Sequence, residues 1–534
     1  MSFKTRMLQI CVAFIAIAGL ASVSWAGGAT VDTASDQMAA ELARLKAQNQ
    51  ALMDRLQALE SKMGTIAQEA EEGAYTRIED KLAAERAKHI ALSVHGSLVN
   101  VIGTTDNGDH FLTQISSAKT DYFSYKNAAN PNGALSEDAT GALYKNKANE
   151  SHQFGITKAR LRFQIDTPDN LARFVYGIEV GAADWGNNSS MDLSGDGTNL
   201  ETRFVYGQFK VPGMENNFVR VGLQPTKINT WVWTETAPGI TWHGKTDLMK
   251  YMLGWYRAGD DGDDNGLVWD ADGYNDYFVA KLDGKVTEGV NLGIFGIYVD
   301  QSNEITNPGD IYDAQYYYVG LTGKVDMAGF FGLFDAIYQG GDIDFENDAI
   351  DDLDRSAYFL HATLGYNFTE QAKAYFTFAY TSGDDDPNDD NADNFDAIDT
   401  DVPVGIIFFK DSYLSDADRY YSDGAYVLDK GFIHYGLTGE YQIDDKNHVR
   451  AAVRYMETAE DIELGGEKES ELGTELDFWY TYKYNKYLDL RLEAAYLFAG
   501  DATEKYLGGA FATNDNDDEV DDFYYIGAGM KFKF

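Results

Sequence analysis

Apolar residues recur at every second position, in segments of about ten residues, from Ile90 to the end of the chain. The segment KARLRFQI at 158–165 carries four apolar residues on one face of a strand: Ala159, Leu161, Phe163 and Ile165. Basic and amide side chains occupy the other face. A charge facing lipid at mid-bilayer costs about 2–4 kcal/mol, so the basic face must look into a wet interior. The pattern predicts an antiparallel, up-and-down transmembrane β-barrel.

The connections between these segments alternate between short turns and long acidic stretches. DTPDN at 166–170 and DDKN at 444–447 are typical short turns, which we expect to face the periplasm. Residues 382–430 and 457–470 are typical long connections, which we expect to face outward as polar loops. Seventeen strands are clear, but a barrel with both chain ends in the periplasm needs an even number. We place the hidden strand at GITWHG, residues 239–244, before a tight KTD turn. The prediction is therefore 18 strands, with 16 as the alternative.

The last strand, FYYIGAGMKFKF at 523–534, separates a membrane barrel from a soluble β-sandwich or propeller. Its even positions are apolar up to the C-terminal Phe534, and its other face is small or cationic. This pattern resembles the signal by which barrel-assembly machinery recognises outer-membrane proteins. It predicts the cell outer membrane as the location.

The N-terminus is typical of an exported protein. Lys4 and Arg6 precede an apolar run from 7 to 23, which is followed by Ser24-Trp25-Ala26. This predicts a signal peptide over residues 1–26 rather than a retained membrane anchor. Cys11, the only cysteine, lies within it, so the mature chain has neither disulfides nor cysteine-bound metal. The formal net charge of −43 argues against nucleic-acid binding.

Residues 27–72 contain a second period, with apolar residues in 4-3 spacing. The central heptad positions are Leu42, Leu45, Leu52, Leu56 and Leu59, with Asn49 at an a-type position. Such a seam is typical of a coiled coil, in which a buried Asn sets register and oligomer state. An amphipathic helix lying on another surface is the alternative. We expect a periplasmic coiled coil that forms a homotrimer, a linker over 73–89, and a barrel over 90–534.

The alternation also assigns charged residues to the lumen. The predicted lining residues are Lys158, Arg160, Arg162, Arg173, Arg203, Arg220, Arg450, Arg454, Arg491, Glu475, Asp477, Asp489 and Glu493. The first three form a basic ladder with no evident local partner, and it faces the acidic residues of later strands. A basic stripe opposite an acidic one would set up a transverse field that selects among ions. Alternatively, the charges pair along the wall.

Two connections invite more specific interpretations. The segment from Gln224 to Trp242 is unusually aromatic and either folds inward as a constriction or forms an extracellular girdle. The loop 261–272 has the oxygen-ligand spacing of a weak calcium site, with Asp261, Asp263, Asn265 and Asp272 as ligands. A solvated acidic loop is the simpler explanation, and carboxylates there would also bind divalent ions that bridge to lipopolysaccharide. No other cofactor is predicted.

No enzyme motif stands out, and the eight histidines are scattered. The segments LGTELDFWYTYKYNKYLDLRLEAAYLFAGD at 472–501, YTSGDDDP at 380–387 and VRVGLQPTK at 219–227 resemble alginate-export and related large porins. The N-terminal heptads resemble those of trimeric sucrose-porin and DcaP-type channels. The first resemblance implies a non-catalytic outer-membrane barrel that passes polyanions or small solutes, and the second implies a trimeric, substrate-selective porin. We expect a porin that passes ions and small hydrophilic solutes. The alternatives are an envelope tether that reaches peptidoglycan, or a barrel that sheathes a partner such as a cytochrome.

Overall fold

The computed structural model describes most of the barrel and little of the chain before it. The described residues are 90–106, 151–186, 191, 198, 200–259, 274–303, 312–345, 352–386, 389–400, 405–407, 430–464, 467–503 and 522–534, with Arg44 and Gln50 near the N-terminus, both helical. The predicted signal peptide, the heptad positions from Leu42 to Leu59 and the calcium loop at 261–272 lie outside these residues. The chain divides into two units, Met1–Ala87 and Lys88–Phe534.

The second unit is built from β-strands. In chain order they are β1 (Ala91–Asp106), β2 (Ser151–Asp166), β3 (Ala172–Asp184), β4 (Leu200–Lys210), β5 (Asn217–Pro225), β6 (Thr236–Lys245), β7 (Met249–Gly259), β8 (Tyr274–Thr287), β9 (Val290–Asn303), β10 (Tyr312–Met327), β11 (Phe330–Phe345), β12 (Leu353–Asn367), β13 (Ala372–Thr381), β14 (Asn391–Ala392), β15 (Phe432–Gln442), β16 (Asn447–Leu464), β17 (Glu467–Lys483), β18 (Leu488–Ala499) and β19 (Phe523–Lys533). No helix among the described residues is long and apolar enough to cross a membrane.

The strands close into a barrel. Each wall strand pairs antiparallel with the next, and β1 pairs with β19. The two-residue β14 lies within the β13–β15 connection and pairs parallel with β12, so it is not part of the wall. The wall over the described ranges therefore has 18 strands, which confirms the main prediction and excludes the alternative of 16. The hidden strand is β6, and it contains the predicted GITWHG segment.

The C-terminal residue takes part in closing the barrel. The N–H of Gly96 donates to the Phe534 carbonyl at 3.0 Å, and the N–H of Phe534 donates to the Gly96 carbonyl at 3.1 Å. Because Gly96 has no side chain, the Phe534 ring lies where a Cβ atom would otherwise stand. The terminal Phe is thus an integral part of the β1–β19 seam.

The long connection predicted between β16 and β17 is mostly strand. Residues 457–470 were expected to form a polar outer loop, yet β16 and β17 extend through most of it, and only residues 465 and 466 separate them. The register shifts beside Glu457 accommodate this extension. Beyond the bilayer, both faces of a hairpin meet water, so a strand there needs no apolar face.

An apolar belt surrounds the outside of the barrel. Leu253, Ile294, Leu437 and Leu492 are between 49% and 56% exposed, although each lies in a well-paired strand. A continuous apolar surface of this kind is unfavourable in water and suits the hydrocarbon core of a bilayer. The barrel is therefore a transmembrane barrel, and its inner face is formed by the alternate residues.

Outward-facing aromatic residues line the belt at the end that carries the long connections. They are Trp255, Phe278, Tyr298, Tyr317, Tyr338, Tyr358, Tyr380, Tyr435, Tyr455, Tyr496 and Tyr524. We call this set the outer girdle. Every wall strand from β7 to β19 except β17 contributes to it, and adjacent rings touch, as Tyr338 and Tyr358 do with centroids 5.6 Å apart. Aromatic residues of this kind mark the boundary between lipid tails and headgroups.

Candidate functional site

The connection between β5 and β6, residues 226–235, folds into the barrel. Trp231 is 6% exposed, and its ring lies 4.8 Å from that of Phe359 on the inner face of β12. Trp233 packs in the same way against Tyr256 on β7, with centroids 5.0 Å apart. Of the two interpretations of this aromatic segment, the inward constriction is confirmed. The connection folds inward because its apolar rings are buried from water when they pack against residues of the inner wall.

Part of the β13–β15 connection joins it inside the barrel. The N–H groups of Ile398 and Asp399 donate to the Val232 carbonyl at 2.9 and 3.1 Å, and the N–H of Thr234 donates to the Asp399 carbonyl at 2.9 Å. Residues 382–430 were predicted to face outward as a solvated acidic loop, which is wrong for residues 391–400 and 405–407. Apolar side chains among the acidic ones draw these residues inward; Phe395, for example, is fully buried.

Two sets of polar contacts fasten this second connection to the wall. Asp396 forms an ion pair with Arg355 on β12 at 3.1 Å, and its main chain binds two further wall residues: its carbonyl accepts a hydrogen bond from the Tyr318 hydroxyl, and its N–H donates to Gln339. On the opposite side, the N–H of Ile407 donates to Glu475 Oε1 at 2.7 Å.

The predicted lumen residues Glu475, Asp477 and Arg454 therefore lie beneath the folded connection. Their exposures are 0%, 4% and 5%, and Arg454 Nε donates to Asp477 Oδ2 at 2.7 Å. The N–H of Ile406 also donates to Asp477, at 3.2 Å. All three side chains lie on the inner face, where they hold the connection in place.

The basic ladder has a local partner that the sequence analysis missed. Glu179 on β3 is 2% exposed and forms ion pairs with Lys158 at 2.9 Å, with Arg160, and with Arg203 at 2.9 Å. The expectation that the ladder has no local partner is wrong for Lys158 and Arg160. Glu179 is the cross-strand neighbour of Arg160, so the register of the β2–β3 hairpin would have found it. Arg203 also lies 3.6 Å from a carboxylate oxygen of Glu235, so three cations share two carboxylates in this cluster.

Other predicted residues make separate contacts. Arg162 donates to Gln164 at 3.4 Å, and Arg173 pairs with Asp166 at 2.6 Å at the short-turn end. The remaining contacts are Arg220 over the Tyr206 ring at 4.7 Å, Arg450 over the Trp479 ring at 3.6 Å, Arg491 with Glu493 at 3.1 Å, and Lys533 with Asp489 at 3.1 Å. The structure does not bring these residues together with the ladder into one cluster.

A cavity of about 740 Å³ lies below Trp231, on the short-turn side of the constriction. Its cationic lining residues are Lys227, Lys281, Lys324, Lys373, Arg450 and Arg454, and its acidic ones are Asp283, Asp335 and Glu440. The first four cations were not predicted, although Lys281, Lys324 and Lys373 each alternate with outward apolar residues in their strands. We call this cavity the vestibule. Its wall carries more positive than negative charge.

Several vestibule charges also support the constriction. Lys281 Nζ donates to the Ile228 carbonyl at 2.7 Å, and Asn229 Nδ2 donates to Asp335 Oδ1 at 2.9 Å. Asp335 Oδ2 lies 2.9 Å from His361 Nδ1, and the His361 ring lies 4.8 Å from Trp231. His361 is thus a satisfied wall residue. No group of metal-ligating side chains occurs among the residues that the structure describes.

Comparisons with known proteins concern the fold alone. OccK8 (OprE) of Pseudomonas aeruginosa is 11% identical with a TM-score of 0.46, over 83% of this chain and 98% of that one. OccAB4 of Acinetobacter baumannii is 11% identical with a TM-score of 0.45, over 83% and 97%. OpdK of Pseudomonas aeruginosa, solved with vanillate, is 8% identical with a TM-score of 0.44, over 82% and 98%. No protein-family model and no curated protein sequence matches the chain.

The barrel itself has the architecture of an outer-membrane porin. It is closed, has an even number of strands, and combines short turns at one end with long connections at the other. An apolar belt surrounds a polar interior that two connections narrow. The resemblances to alginate exporters and to DcaP-type channels remain predictions.

Proposed function

We propose that the chain is an outer-membrane channel for the passive diffusion of ions and small hydrophilic solutes. The observation that carries this proposal is the vestibule, a polar cavity of about 740 Å³ that lies within a transmembrane wall directly below a constriction. A barrel with a purely structural role needs no wet, charged interior. Polar and charged side chains there replace part of the hydration shell of a passing solute.

The charges of the described lumen favour anions. Lys158, Arg160 and Arg203 pair with two carboxylates, those of Glu179 and Glu235. The vestibule has six cationic and three acidic lining residues. The acidic outer connections oppose this preference by repelling anions at the mouth. We propose that the narrow part of the pore, where charges lie nearest to the solute, dominates selectivity.

A salt-gradient measurement tests the ladder. Arg160→Ala with Arg162→Ala removes two positive charges from the inner face, each worth about 1 kcal/mol for an ion 4 Å away in water-like surroundings. The double variant should shift the reversal potential towards cations. Arg173→Ala, at the short-turn end and paired with Asp166, is the matched control and should shift it little. Unchanged reversal potential in the double variant contradicts the proposal.

The proposed assembly is a homotrimer formed through the heptads from Leu42 to Leu59, with the coiled coil in the periplasm. Single-channel recordings of the full-length protein should then show conductance steps in groups of three. A silent barrel would instead favour the envelope tether. The role of a sheath for a partner protein is opposed by the lumen itself, because Trp231, Trp233 and Phe395 are buried inside it.

A further inference from the structure

The outer girdle is interrupted over β1–β6. At the long-connection end, the outward residues of these strands include Thr104, Thr157, Thr202, Leu223 and Pro238. Among the described residues of this sector, the aromatic residue at that end is Trp185, which follows β3. Tyr and Trp anchor lipid-facing surfaces at the headgroup level. A sector of one third of the wall in which the described residues include one such side chain is a sector that lipid headgroups need not contact.

Polar groups lie within the apolar belt in the same sector. Asn100 faces outward between Leu98 and Ile102, and Ile102 is 50% exposed. Thr157 Oγ1 donates to Asn100 Oδ1 at 2.7 Å across the β1–β2 pair. Their remaining hydrogen-bonding capacity would be unmet against acyl chains, and a protein surface offers better partners than lipid does.

Trp185 lies flat on this surface. Its N–H donates to the Gly155 carbonyl at 2.8 Å, and its indole Nε1 donates to Thr157 Oγ1 at 2.8 Å. Its ring covers Gly155 so closely that a Cβ atom there would come within 2.4 Å of it. The side chain is nevertheless 51% exposed. A fixed, half-exposed Trp is the typical anchor of a protein interface, because little conformational entropy remains to be lost on binding.

The sequence indicates what covers this surface. The heptads at residues 27–72 predict that the chain associates with copies of itself, so a second copy is the partner that is always present. We infer that the outward face of β1–β6 packs against a second copy of this chain, with Trp185 as an anchor. This inference rests on the proposed oligomeric, transmembrane state and not on conduction.

Spin labels on matched alanines test whether lipid or protein covers the two sides of the barrel. Ala159 on β2 and Ala362 on β12 both face outward, and the only native cysteine, Cys11, lies in the predicted signal peptide. A nitroxide is attached to Ala159→Cys or Ala362→Cys in the otherwise full chain, which is purified from outer membranes and reconstituted in phospholipid vesicles. Oxygen, which concentrates in lipid, should reach the label at 159 several-fold less than the label at 362. Equal access overturns the inference.

A mass measurement tests the anchor. Trp185→Ala should make the detergent-solubilised oligomer dissociate at higher protein concentration than the native one, as followed by light scattering. Tyr358→Ala removes a girdle ring of similar exposure, 49%, on the opposite side and should leave the mass unchanged. If the Tyr358→Ala oligomer dissociates and the Trp185→Ala oligomer does not, the assignment of Trp185 as an interface anchor is overturned. If the channel conducts and both labels are equally accessible to oxygen, the interface is overturned and the proposed function stands. If the label at 159 is shielded but the barrel does not conduct, the interface stands and the proposed function is overturned.

Discussion

Trp231 is the residue through which the constriction can be tested most sharply. It is 6% exposed and lies between Phe359 and His361 on the inner wall and the vestibule below. Trp231→Ala deletes the whole indole from this position. We expect the variant to have a larger unitary conductance than the native channel, because the ring forms part of the vestibule ceiling.

The free-energy cost of Trp231→Ala, compared with the contacts that remain, decides whether the pore widens locally or the whole β5–β6 connection leaves the barrel. Truncating a buried Trp to Ala typically costs about 3–5 kcal/mol. Other contacts of the connection remain, including Asn229 with Asp335, the main-chain pairing of Val232 with residues 398 and 399, and the hydrogen bond from Thr400 Oγ1 to the Thr230 carbonyl. Each buried bond of this kind is worth about 0.5–1.5 kcal/mol, and Trp233 still packs against Tyr256. The connection should therefore stay inside the barrel, with a wider gap where the indole was.

Planar-bilayer recording at high salt measures this effect, since high salt screens charge and leaves pore width as the main variable. Phe278→Ala is the control, because it removes an aromatic ring that is 48% exposed on the outer face of β8. The control should have native conductance. Unchanged or smaller conductance in Trp231→Ala would refute the reasoning that this ring narrows the pore.

Three further changes probe other parts of the barrel. Asp396→Ala removes the carboxylate that pairs with the buried Arg355 at 3.1 Å, and should loosen the connection and increase open-channel noise; a native noise spectrum would argue against anchoring. Gly222→Ala places a Cβ at φ 119° and 2.2 Å from a carbonyl oxygen on β4, and should lower the refolding yield; a native yield would contradict this. The N–H of Lys446 and its neighbour lower the pKa of Asp444 in a turn, so the stability they provide is present above pH about 4 and lost as pH falls through that lowered pKa. Asp444→Ala should therefore reduce resistance to urea unfolding more at pH 7 than at pH 2; an equal reduction at both would contradict the assignment.

The sequence predicted the wall well because a barrel strand has a two-residue period that a membrane enforces. The apolar face of KARLRFQI, the C-terminal Phe534 and even the hidden β6 followed from that period and from the even strand count. The pairing of residues between strands was harder to predict from the sequence. Glu179 pairs with Arg160 only through the β2–β3 hairpin, so the ladder looked unpartnered when each strand was considered alone.

The interior connections were harder to predict. The aromatic content around Trp231 and Trp233 made the inward fold one of two alternatives, and the structure decided between them. The acidic 382–430 segment was assigned to solvent from its average composition. Its few apolar residues, such as Phe395 and Ile406, and its carboxylate Asp396 find partners on strands that are distant in sequence. The composition of the segment itself gives no information about those partners, so its inward fold could not be predicted from it.

The most direct test of the central claim is the swelling of phospholipid vesicles that contain the purified full-length protein. A wet lumen narrowed by two connections predicts rapid influx of monosaccharides and of small organic anions, slower influx of larger oligosaccharides, and faster influx of small solutes in Trp231→Ala. No swelling with any small solute, in vesicles shown to hold inserted barrels, would contradict the account.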